Sequence, residues 1–134
     1  MKDHITIGMD LGDVENHIVV MDAEGTEIEV TSIANTKERV REYFSRFPGA
    51  VVAMEAGTHS SWISREIKEA GCEVLVGNPR KLRLIWESTD KDDENDARLL
   101  CMICRLEPRL LWPIRHRGLE GQCDLQVVKS RQIL

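Results

Sequence analysis

The sequence predicts an α/β protein built around a mixed sheet, and two observations carry that prediction. Three short runs rich in β-branched residues follow one another between residues 4 and 33, with turn residues between them, as in an antiparallel meander. Two further apolar runs, at 50–56 and 72–78, alternate with segments of helical periodicity, which is the order of parallel strands joined by crossover helices. The expected fold is therefore a three-strand antiparallel meander plus parallel strands with flanking helices.

Each strand is predicted from its own pattern. The runs HITIGMDLG and HIVVMDA are β-rich, and TEIEVTSI begins after a turn at Glu24 and Gly25. The later runs AVVAMEA and CEVLVGN are apolar almost throughout, as expected of strands that are covered on both faces of a sheet. We therefore expect these two runs to be buried strands.

Four helices are predicted between and after these strands. NTKERVREYFSRF places Val40, Phe44 and Phe47 at helical spacing before a Pro-Gly pair. THSSWISREIKEAG ends at Gly71, and Thr58 is its expected N-cap, the alternative being a phosphate bound by the free N–H groups of this helix start. PRKLRLIWES begins with proline, which favours the first helical position, and ARLLCMICRL follows an acidic segment. The order of elements is thus β-β-β-α-β-α-β-α-α.

Length and composition are those of a single soluble domain. The chain has 134 residues, 42% of them hydrophobic, and no apolar run long enough to cross a bilayer. The first residues lack a signal-peptide pattern, so we expect a cytoplasmic protein without a membrane partner. Cys101 and Cys104, with His116 and Cys123 downstream, could suggest zinc, but the two cysteines fall on the apolar face of a predicted helix, which favours ordinary packing.

The acidic charge of the chain is concentrated in one short segment. The formal net charge is −5, and residues 87–96 alone hold six acids and one base, so the rest of the chain is balanced. Bound divalent cations would neutralise much of this charge, so the acidity does not exclude a nucleic-acid partner. A modest basic patch follows downstream, formed by Arg105, Arg109, Arg115, His116 and Arg117.

Two acids stand at the ends of predicted strands. Asp10 ends the first strand, and Glu55 ends the run AVVAME. Open α/β sheets build their sites at the carboxyl ends of central strands, so both side chains are well placed for chemistry. A carboxylate beside such apolar sequence is unfavourable unless a cation or hydrogen bonds compensate its burial. Each acid taken alone is also explained as a strand-end cap.

The acidic segment supplies a second pair of carboxylates. Asp93 and Asp96 are three residues apart, and the helix ARLLCMICRL can extend back through them, which would put both on one face. With Asp10 and Glu55 they can converge on two divalent ions roughly 4 Å apart, the arrangement used for in-line phosphodiester chemistry. All-oxygen ligation favours Mg²⁺ or Mn²⁺ over zinc. Acids are also common at helix N-termini, but the helix dipole does not explain the pair at the strand ends.

Three basic side chains are candidates for contacts with a nucleic-acid backbone. Lys91 adjoins the acidic pair and is the first choice. Arg80 and Lys81 stand at the start of the predicted helix PRKLRLIWES, beside the expected site. A solvated helix face is the alternative interpretation of Arg80 and Lys81.

Four segments together resemble a known family. IGMDLG, AMEAGTHSSW, VGNPRKLRLIWESTDKDDENDARLL and RLLWPIRHRG are similar, in order and spacing, to the amino-terminal domain of the DEDD-type insertion-sequence transposases. These are recombinases related to the Piv DNA invertase, and the class has members guided by a bridge RNA. The resemblance covers residues 4–117, and its most specific part is the element formed by Lys91, Asp93, Asp96 and Ala97. The family usually has Thr or Ser where Asp92 stands, so Asp92 competes with Asp93 for the third position of the tetrad.

The resemblance implies a ribonuclease-H-like, RuvC-like fold with a catalytic, metal-binding tetrad for two Mg²⁺ or Mn²⁺ ions, namely Asp10, Glu55, Asp93 and Asp96. It implies a transposase or site-specific recombinase that cleaves and joins DNA, with a guide RNA in some members and several protomers in the active assembly. It also implies a carboxy-terminal domain with a nucleophilic serine, which no serine of this chain matches. On this basis residues 1–112 form the catalytic domain and residues 113–134 begin a helical connector, and we expect the chain alone to be inactive.

Two other functions remain open. A Holliday-junction nuclease of the same fold would act through metal-activated water and would need no further domain. The segment ITIGMDLGDVENHIVVMDAEG also resembles the first phosphate motif of actin-like ATPases, although Asp13 and Val14 stand where that motif has Thr or Ser. A purely structural module is the third alternative.

Overall fold

The core of the protein is a five-stranded mixed sheet. A computed structural model describes residues 4–86 and 92–115 of the chain. Its strands are β1 (Thr6–Asp10), β2 (Glu15–Met21), β3 (Glu27–Ala34), β4 (Val51–Glu55) and β5 (Glu73–Gly77). They lie side by side in the order β3-β2-β1-β4-β5, so the first strand of the chain is central.

The strand directions confirm the predicted mixed sheet. β2 pairs antiparallel with both β1 and β3, which forms the meander, and β4 pairs parallel with both β1 and β5. The meander needs only tight turns, whereas each parallel pair requires a crossover, which the chain makes with helices. This five-stranded arrangement is the one expected of a ribonuclease-H-like fold.

Four α-helices and one short 3₁₀ helix accompany the sheet. The α-helices are α1 (Lys37–Phe44), α2 (Ser60–Glu69), α3 (Pro79–Trp86) and α4 (Asp93–Leu106), and the 3₁₀ helix spans Pro108–Leu111. Each predicted helix is present, and α4 extends back to Asp93 as the sequence predicts. No helix within the described residues combines the length and apolar character needed to cross a membrane.

Helices cover both faces of the sheet. On one face, the apolar side chains of α1 and α2 form one buried cluster with alternate residues of β1, β2 and β4, which includes Phe44, Ile63 and Ile7. On the other face α4 places Ala97 and Cys101 against β2. Burying a large apolar side chain contributes about 1.5–3 kcal/mol, so these two layers account for most of the driving force for folding.

The cysteines of α4 belong to this packing. Cys101 and Cys104 are both buried, as the packing interpretation predicts. The Cys101 thiol donates to the Thr6 carbonyl oxygen at 3.2 Å, and burial raises its pKa to about 12. His116 and Cys123, the other residues of the zinc alternative, lie outside the described residues.

The N-cap of α2 differs from the prediction. His59, not Thr58, occupies the cap position, and its side chain makes no capping hydrogen bond. The Ser60 hydroxyl instead accepts from the Gly57 N–H and donates to the Gly57 carbonyl oxygen, each at 3.0 Å. This local turn satisfies the backbone of Gly57, so the helix begins later than a Thr58 cap would require.

A candidate metal centre at the carboxyl edge of the sheet

Asp10 and Glu55 end two neighbouring strands on the same edge of the sheet. β1 and β4 run parallel and pair up to Met9 and Met54, so the next residues, Asp10 and Glu55, lie side by side at one edge of the sheet. Both side chains are half-buried. A cavity of about 190 Å³ opens beside them, lined also by the loops that follow the two strands. The structure therefore places both acids at the same edge of the sheet, as the sequence predicts.

Two asparagines fix the loop that follows Asp10. Asn16 is fully buried, and its Oδ1 accepts from the Gly12 N–H at 3.1 Å. Asn35 donates to the Gly12 carbonyl oxygen at 2.8 Å and accepts from the Asn16 amide at 3.3 Å. Buried polar networks of this kind hold a backbone in one conformation when each member has partners. The loop is thus held by β2 and by the end of β3, which keeps the position of Asp10 well defined.

The start of α4 brings two more carboxylates to this edge. Asp92 is the N-cap, and its Oδ1 accepts from the Asn95 N–H at 2.7 Å. Capping turns the Asp92 side chain back onto its own helix, whereas Asp93 and Asp96 lie three residues apart and share a face. Glu94 points elsewhere and pairs with Arg98 at 2.8 Å.

Close packing at Gly8 sets the position of α4 over the sheet. A Cβ atom at Gly8 would overlap the Ala97 carbonyl oxygen and would lie 2.6 Å from the Cys101 N atom. Only glycine lets the helix backbone approach the central strand so closely. Arg98 adds a second restraint, because it forms an ion pair with Glu27 of β3. These contacts direct the first turn of α4 towards the end of β1.

As a result, a carboxylate at the end of β1 meets two carboxylates of α4. Asp10, Asp93 and Asp96 each offer one oxygen, and these three oxygens lie within 4.8 Å of one another. Glu55 stands next to this group and contributes to its electrostatic field. We call Asp10, Asp93 and Asp96 the carboxylate cluster. The structure thus brings together three of the four predicted ligands and places the fourth at the adjacent strand end.

The electrostatics of the carboxylate cluster are unfavourable without a cation. The pKa of Asp10 is raised to about 7, first by burial, then by a hydrogen bond with Asp93 and by the charges of Asp93, Asp96 and Glu55. The raised pKa shows that burial and the neighbouring carboxylates disfavour the ionised form of Asp10, and a bound cation would favour that form. Hard oxygen donors at this spacing suit Mg²⁺ or Mn²⁺, so the residues present fit the divalent ions that the resemblance implies.

The basic residues predicted for nucleic-acid contact are only partly described. Arg80 and Lys81 are exposed at the start of α3. Their backbone N–H groups donate to Asn78 Oδ1, at 2.9 Å from Arg80 and 3.2 Å from Lys81. Lys81 Nζ lies 4.6 Å from the ring centre of Trp112, so this ammonium already has an aromatic partner. Lys91 lies outside the described residues.

One histidine beside the cluster was missed by sequence reasoning. His17 of β2 pairs with Asp10 of β1 across the antiparallel ladder, and its Nε2 lies 3.3 Å from Asp93 Oδ2. A single histidine within a β-rich run forms no recognisable motif. The signal that would have found it is the register of the first hairpin, which puts residue 17 opposite residue 10.

Comparisons with known proteins identify the family of the chain. A family model described as a transposase, DEDD_Tnp_IS110, matches residues 7–132. The curated protein named "Probable family 20 transposase" from Pseudomonas aeruginosa is 26% identical over 97 residues, which is 72% of this chain. The chain spans 28% of the length of that relative. Because the family model matches nearly the whole chain, the protein belongs to the IS110-type DEDD transposase family.

Proposed function

We propose that this chain is the metal-dependent catalytic domain of a DNA transposase, in which Asp10, Glu55, Asp93 and Asp96 hold two Mg²⁺ or Mn²⁺ ions. The observation that carries the proposal is the meeting of the carboxylate cluster at the carboxyl edge of the sheet, in a chain of a transposase family. When bound, two such ions supply activation of an attacking oxygen and stabilisation of the leaving oxygen in an in-line displacement at phosphorus.

The residues of the chain have separate tasks in this proposal. Asp10 and Glu55 are fixed by paired strands and provide the rigid side of the site. Asp93 and Asp96 come from the first turn of α4, which is held down by the close approach at Gly8. Ligands on strands and helices keep their geometry better than ligands on loops, which is what positioning of a phosphodiester requires.

Other components of the reaction lie beyond these residues. We propose DNA as the substrate, with Arg80, Lys81 and Lys91 near its backbone, and a guide RNA where the full protein uses one. Strand joining requires, in this proposal, a carboxy-terminal domain that supplies the nucleophilic serine and a homo-oligomeric assembly. The chain spans 28% of the length of its curated relative, so the carboxy-terminal domain and the assembly are proposed for a protein of that greater length.

The metal site is tested by titrating Mn²⁺ into the chain by calorimetry, with Asp93→Asn and Asp92→Asn as a matched pair. Both variants remove one negative charge from the same helix start, and asparagine caps a helix as well as aspartate does, so Asp92→Asn keeps α4 intact. We expect Asp93→Asn to weaken Mn²⁺ binding more than about 100-fold, since loss of even an outer partner of a ligand costs about 10- to 100-fold. Asp92→Asn should bind like the parent.

Three other outcomes would change the assignment. Loss of binding in Asp92→Asn alone would move the third ligand to residue 92. Equal affinities in both variants and the parent would mean that Mn²⁺ does not bind at the carboxylate cluster. A parent chain without Mn²⁺ affinity would remove the basis of the proposed function.

The need for a second domain is tested with DNA. We expect the 134-residue chain to leave both linear and branched labelled DNA uncut in Mg²⁺, and a longer chain that includes the carboxy-terminal domain to cleave and join it. Cleavage of branched DNA by the short chain alone would instead identify a nuclease of the Holliday-junction type.

A further inference from the structure

His17 contacts the carboxylate cluster and also lines an open cleft. Its Nε2 is 3.3 Å from Asp93 Oδ2 and 3.6 Å from Glu15 Oε2. It lines a cavity of about 340 Å³ together with residues of β3 and Glu94. The His17 side chain is 29% exposed, so it is not a histidine enclosed by the core.

Each of the two carboxylates near His17 also has another partner. The Ser32 hydroxyl of the neighbouring strand donates to Glu15 Oε1 at 3.3 Å, and Asp93 shares a hydrogen bond with Asp10. The Asp93 side chain is 64% exposed and stands on the first residue of α4, so packing fixes little of its surface. His17, in contrast, is anchored on a strand that is paired on both sides. The contact therefore restrains the exposed Asp93 side chain against the rigid sheet.

A contact of this kind has a known effect in metal sites. An N–H that donates to one carboxylate oxygen fixes the orientation of the group and leaves the second oxygen for an ion. Such outer hydrogen bonds orient ligands, and their loss weakens metal affinity by about 10- to 100-fold. Asp10 needs no such support, since it continues directly from a paired strand.

We propose that His17 is a positioning residue of the metal site, whose Nε2–H holds Asp93 in the orientation in which its carboxylate binds an ion. The inference rests on the proposed function, because it requires Asp93 to be a ligand. It gives His17 no contact with the ion or with DNA.

The test is calorimetric titration of Mn²⁺ into the parent, His17→Ala and His17→Gln. We expect His17→Ala to bind Mn²⁺ about 10-fold more weakly or worse. His17→Gln retains an N–H donor on a side chain of similar reach, so its affinity should lie between those of the parent and His17→Ala. Thermal unfolding in metal-free buffer containing a chelator should show that all three chains are folded, which separates loss of positioning from loss of fold.

His4→Gln is the control. His4 precedes β1 and Asp10 ends it, so the length of the central strand separates His4 from the carboxylate cluster. We expect His4→Gln to bind Mn²⁺ like the parent. An equal loss in His4→Gln would show a general effect of removing a histidine and would overturn the inference.

The remaining outcomes are decisive as well. If the parent binds Mn²⁺ and His17→Ala binds it equally well, only this inference fails and the proposed function stands. Tighter binding by His17→Ala would mean that His17 competes with the ion for Asp93, which also overturns the inference. A parent that binds no Mn²⁺ overturns the proposed function itself, so the two failures are distinguishable.

Discussion

At Asp10 the fold holds a carboxyl group where its charge is disfavoured. The ordinary pKa of this group is 3.8, and in the folded protein it is raised to about 7. Between these two values the folded chain keeps a proton that the unfolded chain releases. The contribution of Asp10 to stability is therefore fully present below about pH 4 and is lost as the pH rises to about 7.

Asp10→Asn should remove this pH dependence. Asparagine keeps the shape of the protonated acid but cannot ionise, so the variant does not lose stability between pH 4 and 7. In metal-free buffer at pH 8 we expect it to be more stable than the parent by about 1–2 kcal/mol, a figure that allows for solvent screening of a partly exposed group. Urea unfolding at pH 5, 6, 7 and 8 with a chelator measures this difference. Parallel stability curves for the two chains would contradict the pKa of Asp10.

The four candidate ligands could be recognised from the sequence, whereas His17 could not. Asp10 and Glu55 end runs of clear β pattern, and Asp93 and Asp96 precede a clear helix, so each has a local signal. Asp92 differs from Asp93 in the cap geometry, in which Asp92 bonds to its own helix, and the sequence does not show this difference. His17 becomes visible only through strand register, which is a property of the pair and not of either strand alone.

At the scale of elements, the site depends on how closely α4 lies on β1. Gly8→Ala would force the helix away, because its Cβ meets backbone atoms of Ala97 and Cys101 that cannot rotate aside. We expect a loss of about 2–3 kcal/mol in the free energy of unfolding, in the range of overpacked cores. Mn²⁺ affinity should fall as well, since Asp93 and Asp96 move with the helix. Urea unfolding and calorimetry measure the two effects.

Gly57→Ala is the control for this substitution. Gly57 lies in the loop after β4, and a Cβ there would have no neighbour within 4 Å. We expect a change within about 0.5 kcal/mol, as for a surface position. If both glycine variants were equally stable, the close approach of α4 to β1 would not be a constraint.

Strong periodicity made the elements predictable, and local side-chain bonds decided their ends. The helix after the acidic segment extends back to Asp93 because Asp92 supplies a cap. The start of α2 was predicted wrongly at Thr58, since the Ser60 hydroxyl satisfies Gly57 within the preceding turn. A threonine before a helix is a common cap. The sequence alone does not show that the Ser60 hydroxyl will instead bond to the backbone of a preceding residue.

At the scale of the whole molecule, long-range contacts assemble the site. The mixed sheet follows from the order of patterns, because a meander is antiparallel and crossover helices make parallel pairs. The position of α4 does not follow from that order. It depends on contacts between residues far apart in the chain, such as Arg98 with Glu27 and Ala97 with Gly8. The sequence therefore predicts which acids can bind metal, and the packing determines that three of them meet.

Metal binding at the carboxylate cluster should stabilise the entire domain. An ion that binds only the folded chain adds about 2.7 kcal/mol at a concentration 100 times its dissociation constant. For a domain of this size that corresponds to a rise of roughly 10 °C in the midpoint of thermal unfolding. We expect Mn²⁺ to produce such a rise in the parent and in Asp92→Asn, measured by circular dichroism.

Asp10→Asn should show the opposite order of stabilities with and without the ion. Without metal it is the more stable chain, because one repelling carboxylate is gone, and in saturating Mn²⁺ it is the less stable one, because a ligand is gone. The two unfolding midpoints should therefore cross as Mn²⁺ is added. A mutation that merely loosens the fold lowers the midpoint in both conditions. If Asp10→Asn and the parent gained equally from Mn²⁺, the ion would be bound elsewhere in the acidic segment, and the three carboxylates would need another explanation.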